Sequence, residues 1–476
     1  MPQGQESSEH VGRVAVVGAS MAGLLTARAL AGHVAQVVVL ERERLPEQVR
    51  PRGRVPQGRH LHLLLSPGLD LLRDWFPGIE EELVARGAVP TDGRHAYVHQ
   101  GGAYRARGDW GRPLLSLTRP LLESVVRARV TALPNVTLES GVRVERVRLS
   151  EGAPVRVTGV VVDGTDLPTD LPTDLTADLV VDCSGRSSSI AHDLAEAGVV
   201  APPVTRVGID VAYASRLLRR GPDDFEGRFL MCQDNPGSFR AGVVMPVEGD
   251  RWQVTLAGVH GDSPGSTDAS MRAFARGLPS PVVAELLERC EPVGDVETYR
   301  FPSSQRRHHE KVHDPVPGLV SLGDAACSFD PVYGQGMTSA ALQADALARV
   351  VADVTARSDV AGLRSRDVPR RFYRRAARVV DGPWRIAVGG DFGHPATTGP
   401  RPPGSAALNA YVGRVVRASH SSVEVARAFN RVIQLADPPT ALVRPALLAR
   451  VVRYAGRSPV ATGTPIVHPR VGPPSR

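Results

Sequence analysis

Apolar and polar positions first fall into a strong pattern at residues 13–40. Residues 13–18 form a short β-branched apolar run, as expected of a strand buried on both faces. Residues 21–32 place Leu24, Leu25, Ala27, Ala29 and Leu30 at helical spacing, and 36–40 is a second buried strand. Together they predict a βαβ unit of about 30 residues. Downstream, 61–75 reads as a helix after a Pro- and Gly-rich loop at 50–58, 119–133 as a helix, and 142–149 as a strand. Residues 166–174 repeat Asp-Leu-Pro-Thr, which suits an exposed hairpin tip and not a strand. Residues 177–183 return to a buried strand.

From about residue 200 to 298 the pattern changes. Strand-like segments at 207–213, 239–246 and 252–259 alternate with turns, and a helix is expected near 270–290. This predicts an antiparallel sheet with one polar and one apolar face, suited to a substrate-binding layer. A further buried strand at 319–322 precedes a long helix at 336–356. Helical patches follow residue 396; 1–11 and the Pro-rich stretch 458–476 are expected to lack fixed structure.

Composition adds exclusions. At 476 residues, 42% hydrophobic and 22% charged, the chain has the balance of a globular protein. No apolar run reaches the ~18 residues of a spanning helix. Residues 1–10 carry Glu6 and Glu9 and lack the basic start of an export signal, so a cytoplasmic protein without integral membrane contact is expected. Cys183, Cys232, Cys290 and Cys327 show no metal or redox-pair spacing, and free thiols are expected. The formal charge of +7 is carried almost wholly by arginine, with Lys311 the only lysine. It is spread along the chain without a stripe, so no nucleic-acid partner is expected.

Candidate chemistry begins at Gly18-Ala19-Ser20-Met21-Ala22-Gly23, between strand and helix, with Glu41 ending the next strand. Gly18 allows a tight turn, a small residue at 20 lets backbone N–H groups approach a pyrophosphate, and Gly23 permits close helix–strand packing. Glu41 is placed to accept hydrogen bonds from both ribose hydroxyls. This predicts dinucleotide binding but does not separate FAD from NAD. A second segment does. Residues 318–326 end a buried strand in Gly323-Asp324 and continue through Asp330-Pro331-Val332-Tyr333-Gly334-Gln335-Gly336-Met337 into a helix.

The pair of segments resembles the group A flavoprotein monooxygenases. The resemblance implies an α/β fold: a Rossmann-like, glutathione-reductase-like FAD-binding domain with an inserted antiparallel-sheet substrate domain and a helical C-terminal region. It implies that Asp324 binds the ribityl chain, that Pro331 and Gly334, Gln335, Gly336 and Met337 border the isoalloxazine, and that Arg119 contacts the cofactor. Arg42, Arg54 and Val144 complete the implied set. A helix N-terminus aimed at the flavin N1/O2 edge would stabilise the reduced ring's negative charge. The implied division is 11–95, 114–195 and 299–395 for FAD; 96–113 and 196–298 for substrate; 396–460 helical; and 461–476 a disordered tail.

Residues 177–188 are similar to the family's mid-chain motif, with Ser184-Gly185 where Asp-Gly is usual. Residues 52–62, 245–252 and Asp381-Gly382-Pro383-Trp384 look like the FAD-dependent epoxidases of polyether and prenylated natural-product biosynthesis. That resemblance implies epoxidation of an alkene by a flavin C4a-hydroperoxide. It implies a hydrophobic small-molecule substrate, O2, and NAD(P)H as electron donor, direct or through a separate flavin reductase. No protein nucleophile is required and no catalytic residue is assigned. His60 and His62 lack a third ligand nearby in sequence, so no metal is expected. An aromatic (phenol) hydroxylase is the first rival, and an isoprenoid reductase or halogenase ranks below it. The halogenase lysine and its Trp-x-Trp-x-Ile-Pro segment do not appear. A non-enzymatic flavin-binding module ranks last.

Overall fold

The computed structural model describes residues 11–111, 113–152, 154–163, 171–234, 238–459 and 465–467. Its centre is an all-parallel five-stranded sheet in the order Leu319–Ser321, Leu179–Asp182, Arg13–Val17, Gln36–Glu41, Val136–Ser140. The helix Met21–Ala31 links its third and fourth strands, as the pattern at 13–40 predicts.

Alternate residues of these strands enter different cores. Val14, Val16, Val37, Val39, Leu179 and Val181 pack with the helices Met21–Ala31, Arg119–Thr131 and Gly336–Leu363. Ala15, Val17, Val38, Leu40 and Val180 pack against a three-stranded antiparallel sheet, Arg143–Leu149, Val157–Asp163 and Asp174–Thr176. Both faces are covered, which is why the strands read as unbroken apolar runs. Each fully buried Val or Leu contributes roughly 1.5–3 kcal/mol. The expected hairpin tip at 166–174 lies mostly outside the described residues, and Asp174 begins the returning strand.

The second layer is an eight-stranded sheet. It runs Cys327–Ser328, Pro292–Arg307, Val204–Arg219, Arg251–Val259, Ala241–Val247, Phe229–Gln233, Ala96–Gln100, Ala103–Tyr104. The expected antiparallel pairing holds except where Phe229–Gln233 runs parallel to Ala96–Gln100. Pro292–Arg307 crosses the boundary drawn at residue 299, so one continuous strand joins the two implied domains there. The helices Ser405–Ser419, Val423–Ile433 and Pro445–Tyr454 build a separate C-terminal core.

Other expectations need correction. The helix expected at 61–75 begins only at Ser66. Pro67, lacking an N–H, fits its first turn, while the N–H groups of Leu61 and Leu65 donate to the hydroxyls of Thr255 and Thr338. The helix expected at 270–290 is two, Asp268–Arg276 and Val282–Arg289, broken around Pro279 and Pro281. Within the tail at 461–476, Val467 is buried and bridges to Phe225, so this part of the tail is packed. Among the described residues, no helix is long and apolar enough to cross a membrane.

Candidate functional site

The turn after the first strand depends on its glycines. Gly18 has φ +100°, and a Cβ there would lie 2.7 Å from the Cys183 carbonyl oxygen. A Cβ on Gly23 would lie 1.8 Å from the Gly18 carbonyl oxygen, so only glycine lets the helix sit this close to the strand. The first N–H groups of Met21–Ala31 have no partner within the helix.

Glu41 is buried behind this turn. Its Oε2 accepts from the Ala19 N–H at 2.9 Å and pairs with Arg52 Nη2 at 2.7 Å, while Oε1 accepts from the Glu43 N–H at 3.0 Å. Oε2 is thereby saturated and Oε1 keeps one acceptor direction.

Arg52, which the sequence left outside the site, is the centre of this network. It also meets Glu123 Oε1 at 2.8 Å and the Ala19 carbonyl oxygen at 3.1 Å. Burial works against its charge, yet Glu41 and Glu123 hold its pKa above the usual value. Arg119 opens the helix Arg119–Thr131, capped by Thr118. Its Nη2 donates to Ser20 Oγ at 2.6 Å and its Nη1 to His62 Nε2 at 3.1 Å. Burial and the Arg119 charge hold His62 down at about 3, so its ring is neutral and accepts. Glu248, from the block at 245–252, accepts from the Thr118 N–H at 3.0 Å and from its hydroxyl. That block therefore fastens the helix carrying Arg119.

These residues surround one cavity of about 460 Å³. Gly18, Ser20, Met21, Ala22, Glu41, Arg42, Arg54, Arg119 and Val144 line it from the first half of the chain. Asp324, Pro331, Gly334, Gln335, Gly336 and Met337 line it from the second. Of the residues singled out from sequence, Ala19 and Gly23 lie behind the lining and shape the turn. Asp324 points into the open space but is ringed by protein; burial raises its carboxyl, with Arg119 and Arg186 opposing. Gln335 is 1% exposed, and neither of its side-chain polar atoms has a partner among the described residues. An amide left bare at a cavity wall is suited to a polar ligand edge.

The model of the family described as FAD binding domain matches residues 12–381. The chain belongs to that family. It is the family of the group A flavin monooxygenases, and FAD is the cofactor. The Mycobacterium tuberculosis protein Rv3254 is 31% identical over 396 residues, covering 81% of this chain and 82% of its own. Among solved structures, pqsL, a probable FAD-dependent monooxygenase from Pseudomonas aeruginosa, superposes with a TM-score of 0.57 at 18% identity. The match covers 80% of this chain and 97% of that one. A triple mutant of the flavin-dependent brominase Bmp2 gives 0.62 at 16% identity, covering 93% and 98%. At these identities the structural likenesses establish a shared fold.

A second, larger cavity of this FAD-family protein measures about 1000 Å³ and is mostly apolar. Leu63 lines both cavities, and the loop at 331–334 supplies Pro331 and Gly334 to one, Val332 and Tyr333 to the other. Beside this partition lie the buried carboxyls of Asp330 and Asp391. Burial pushes both up: Asp330 reaches about 6, with the hydrogen bond from Asp391 working against the rise, while Asp391 is pushed well above the carboxylate range, by burial first and then by the Asp330 charge.

His60 Nδ1 lies 2.8 Å from Ser215 Oγ, and burial with the Arg59 charge holds its pKa down to about 4. His60 and His62 both line the smaller cavity. Among the described residues no third His, Cys, Asp or Glu joins them as a metal site.

Proposed function

We propose that this protein is an FAD-dependent monooxygenase that epoxidises an alkene of a polyketide or prenylated natural-product intermediate. The observation that carries this reading is the partition at 331–334, where the cavity lined by the Gly18 turn and Asp324 adjoins a large apolar one. FAD bound there, with NAD(P)H as electron donor directly or through a flavin reductase, would supply the oxygen-activating chemistry.

The chain's own residues bind, orient and exclude water. The Gly18–Gly23 turn and the N-terminus of Met21–Ala31 are suited to the pyrophosphate, and Glu41 to one ribose hydroxyl. Asp324 is suited to the ribityl chain. Gln335 and the N-terminus of Gly336–Leu363 are suited to the polar edge of the flavin ring, where a helix dipole stabilises negative charge. Arg119, held by Ser20 and His62, offers positive charge to the cofactor's anionic centre. The apolar walls keep water from the reacting oxygen.

Lys311 is exposed on the turn His309–Lys311, outside the lining of both cavities, which counts against a halogenase needing a lysine. The test is mass spectrometry of the FAD-loaded protein with a reductant, labelled dioxygen and polyene or prenyl substrates. An epoxide carrying one labelled oxygen is expected. Ring hydroxylation without alkene oxidation, or no label in any product, contradicts the proposal.

A further inference from the structure

The larger cavity holds a charge that the protein does not neutralise. Arg105 follows the strand Ala103–Tyr104, lines this cavity and is 2% exposed. Its Nη2 donates to Gln100 Oε1 at 2.6 Å, and its guanidinium carbon lies 4.6 Å from the centre of the Phe429 ring. Nε has no hydrogen-bond partner, and no carboxylate pairs with the group, among the described residues.

Nearby acids are engaged elsewhere. Asp92 meets His95 Nδ1 at 2.8 Å, Asp234 accepts from Ser238 Oγ at 2.9 Å, and Asp381 takes Arg306 Nη1 at 2.7 Å. The wall's other arginines, Arg385 and Arg417, are exposed and solvated. Arg105 is thus the wall's one fully buried cation among the described residues. Burial alone pushes its pKa down to about 10, which still leaves it charged at neutral pH. An unpaired charge in an apolar enclosure is costly, and a ligand's opposite charge removes that cost.

We infer that Arg105 recognises an anionic end group of the substrate, and that the substrate is a long apolar alkene bearing a carboxylate. Gln100 fixes the guanidinium and Phe429 covers one face, leaving the group's cavity-facing edge for a carboxylate. A single buried cation suits a single negative charge. A diphosphate would call for further buried cations or a metal, and among the described residues no cluster of His, Cys, Asp or Glu forms a metal site. The inference rests on the alkene-oxidation reading for the alkene and on Arg105 for the acid.

The experiment measures binding to the FAD-loaded full chain without reductant, through perturbation of the flavin absorption spectrum. The probes are α-linolenic acid, its methyl ester and geranylgeranyl diphosphate. The acid is expected to bind at least about tenfold more tightly than the ester. Arg105→Met should bring the acid down to the ester's affinity and leave the ester unchanged, with FAD content and melting temperature showing that the variant folds. Arg105→Lys should restore part of the preference. Equal binding of acid and ester, preference for the diphosphate, or no binding of any probe would overturn the inference. Selective binding of the acid without oxidation of its alkenes, once reductant and O2 are added, would count against the alkene reading alone.

Discussion

Two kinds of residue make the flavin site, and they differ in how visible they are in a sequence. Gly18 and Gly23 act on their own backbone neighbourhood, so their spacing between strand and helix declares them. Gly23→Ala should drive the helix off the strand, because the added carbon meets the Gly18 carbonyl at 1.8 Å. Flavin absorbance per protein should fall steeply; full retention would contradict this reading of the turn. Arg52 works through Glu41 and Glu123, the latter 71 residues away, and nothing local marks it. Arg52→Met takes an ion-pair partner from two buried carboxylates, Glu123 keeping only the looser contact with Arg119 at 3.7 Å, and should cost about 3–5 kcal/mol in stability, measurable by urea unfolding. His60 gives a pH signature. Its folded pKa of about 4 lies below the ordinary 6.5, so on acidification the unfolded chain binds the proton first. Its stability contribution is present above pH 6.5 and lost toward pH 4, roughly 3 kcal/mol at the limit. His60→Gln should flatten the fall of melting temperature over that interval, and an unchanged slope would refute the assignment.

Among elements, those with one uninterrupted period were legible: the central strands, the helix Met21–Ala31 and the start of Gly336–Leu363. Asp367–Asp391 was missed because Gly382, Pro383, Gly389 and Gly390 resemble breakers, although Phe372, Ala376, Val380, Trp384 and Val388 keep helical spacing. Of these glycines, Gly390 has a packing role. A Cβ on Gly390 would meet the Tyr333 hydroxyl at 1.9 Å, so this helix approaches the partition only because the side chain is missing. Gly390→Ala should displace Tyr333 and weaken substrate binding while FAD binding holds, and parallel titrations of the two ligands check this. Pro292–Arg307 was missed for another reason: it is mostly exposed or half-buried and polar, and its pairing with Val204–Arg219 is what makes it a strand. Thr118 shows how elements position chemistry. Thr118→Ala removes the cap of the Arg119 helix and the hydroxyl's bond to Glu248, keeping the backbone one, and should cost about 1 kcal/mol with weaker FAD binding. Unchanged FAD affinity would argue that Arg119 is held by Ser20 and His62 alone.

At the scale of the molecule, a parallel sheet covered on both faces brings two segments some 300 residues apart to one cavity. The eight-stranded sheet and the C-terminal helices enclose another beside it. The first convergence was readable because each half carries its own local pattern. The larger cavity was not, since its walls come from the sheet, the loop at 331–334 and the helices after residue 404, with no motif linking them. The joint cofactor cavity is the claim on which the rest depends, and calorimetric titration of FAD into the flavin-stripped protein tests it most directly. Saturation at one FAD per chain is predicted, with affinity weakened both by Gly23→Ala in the first segment and by Asp324→Ala in the second. A folded protein that takes up no FAD, or one whose affinity ignores the second segment, would contradict it.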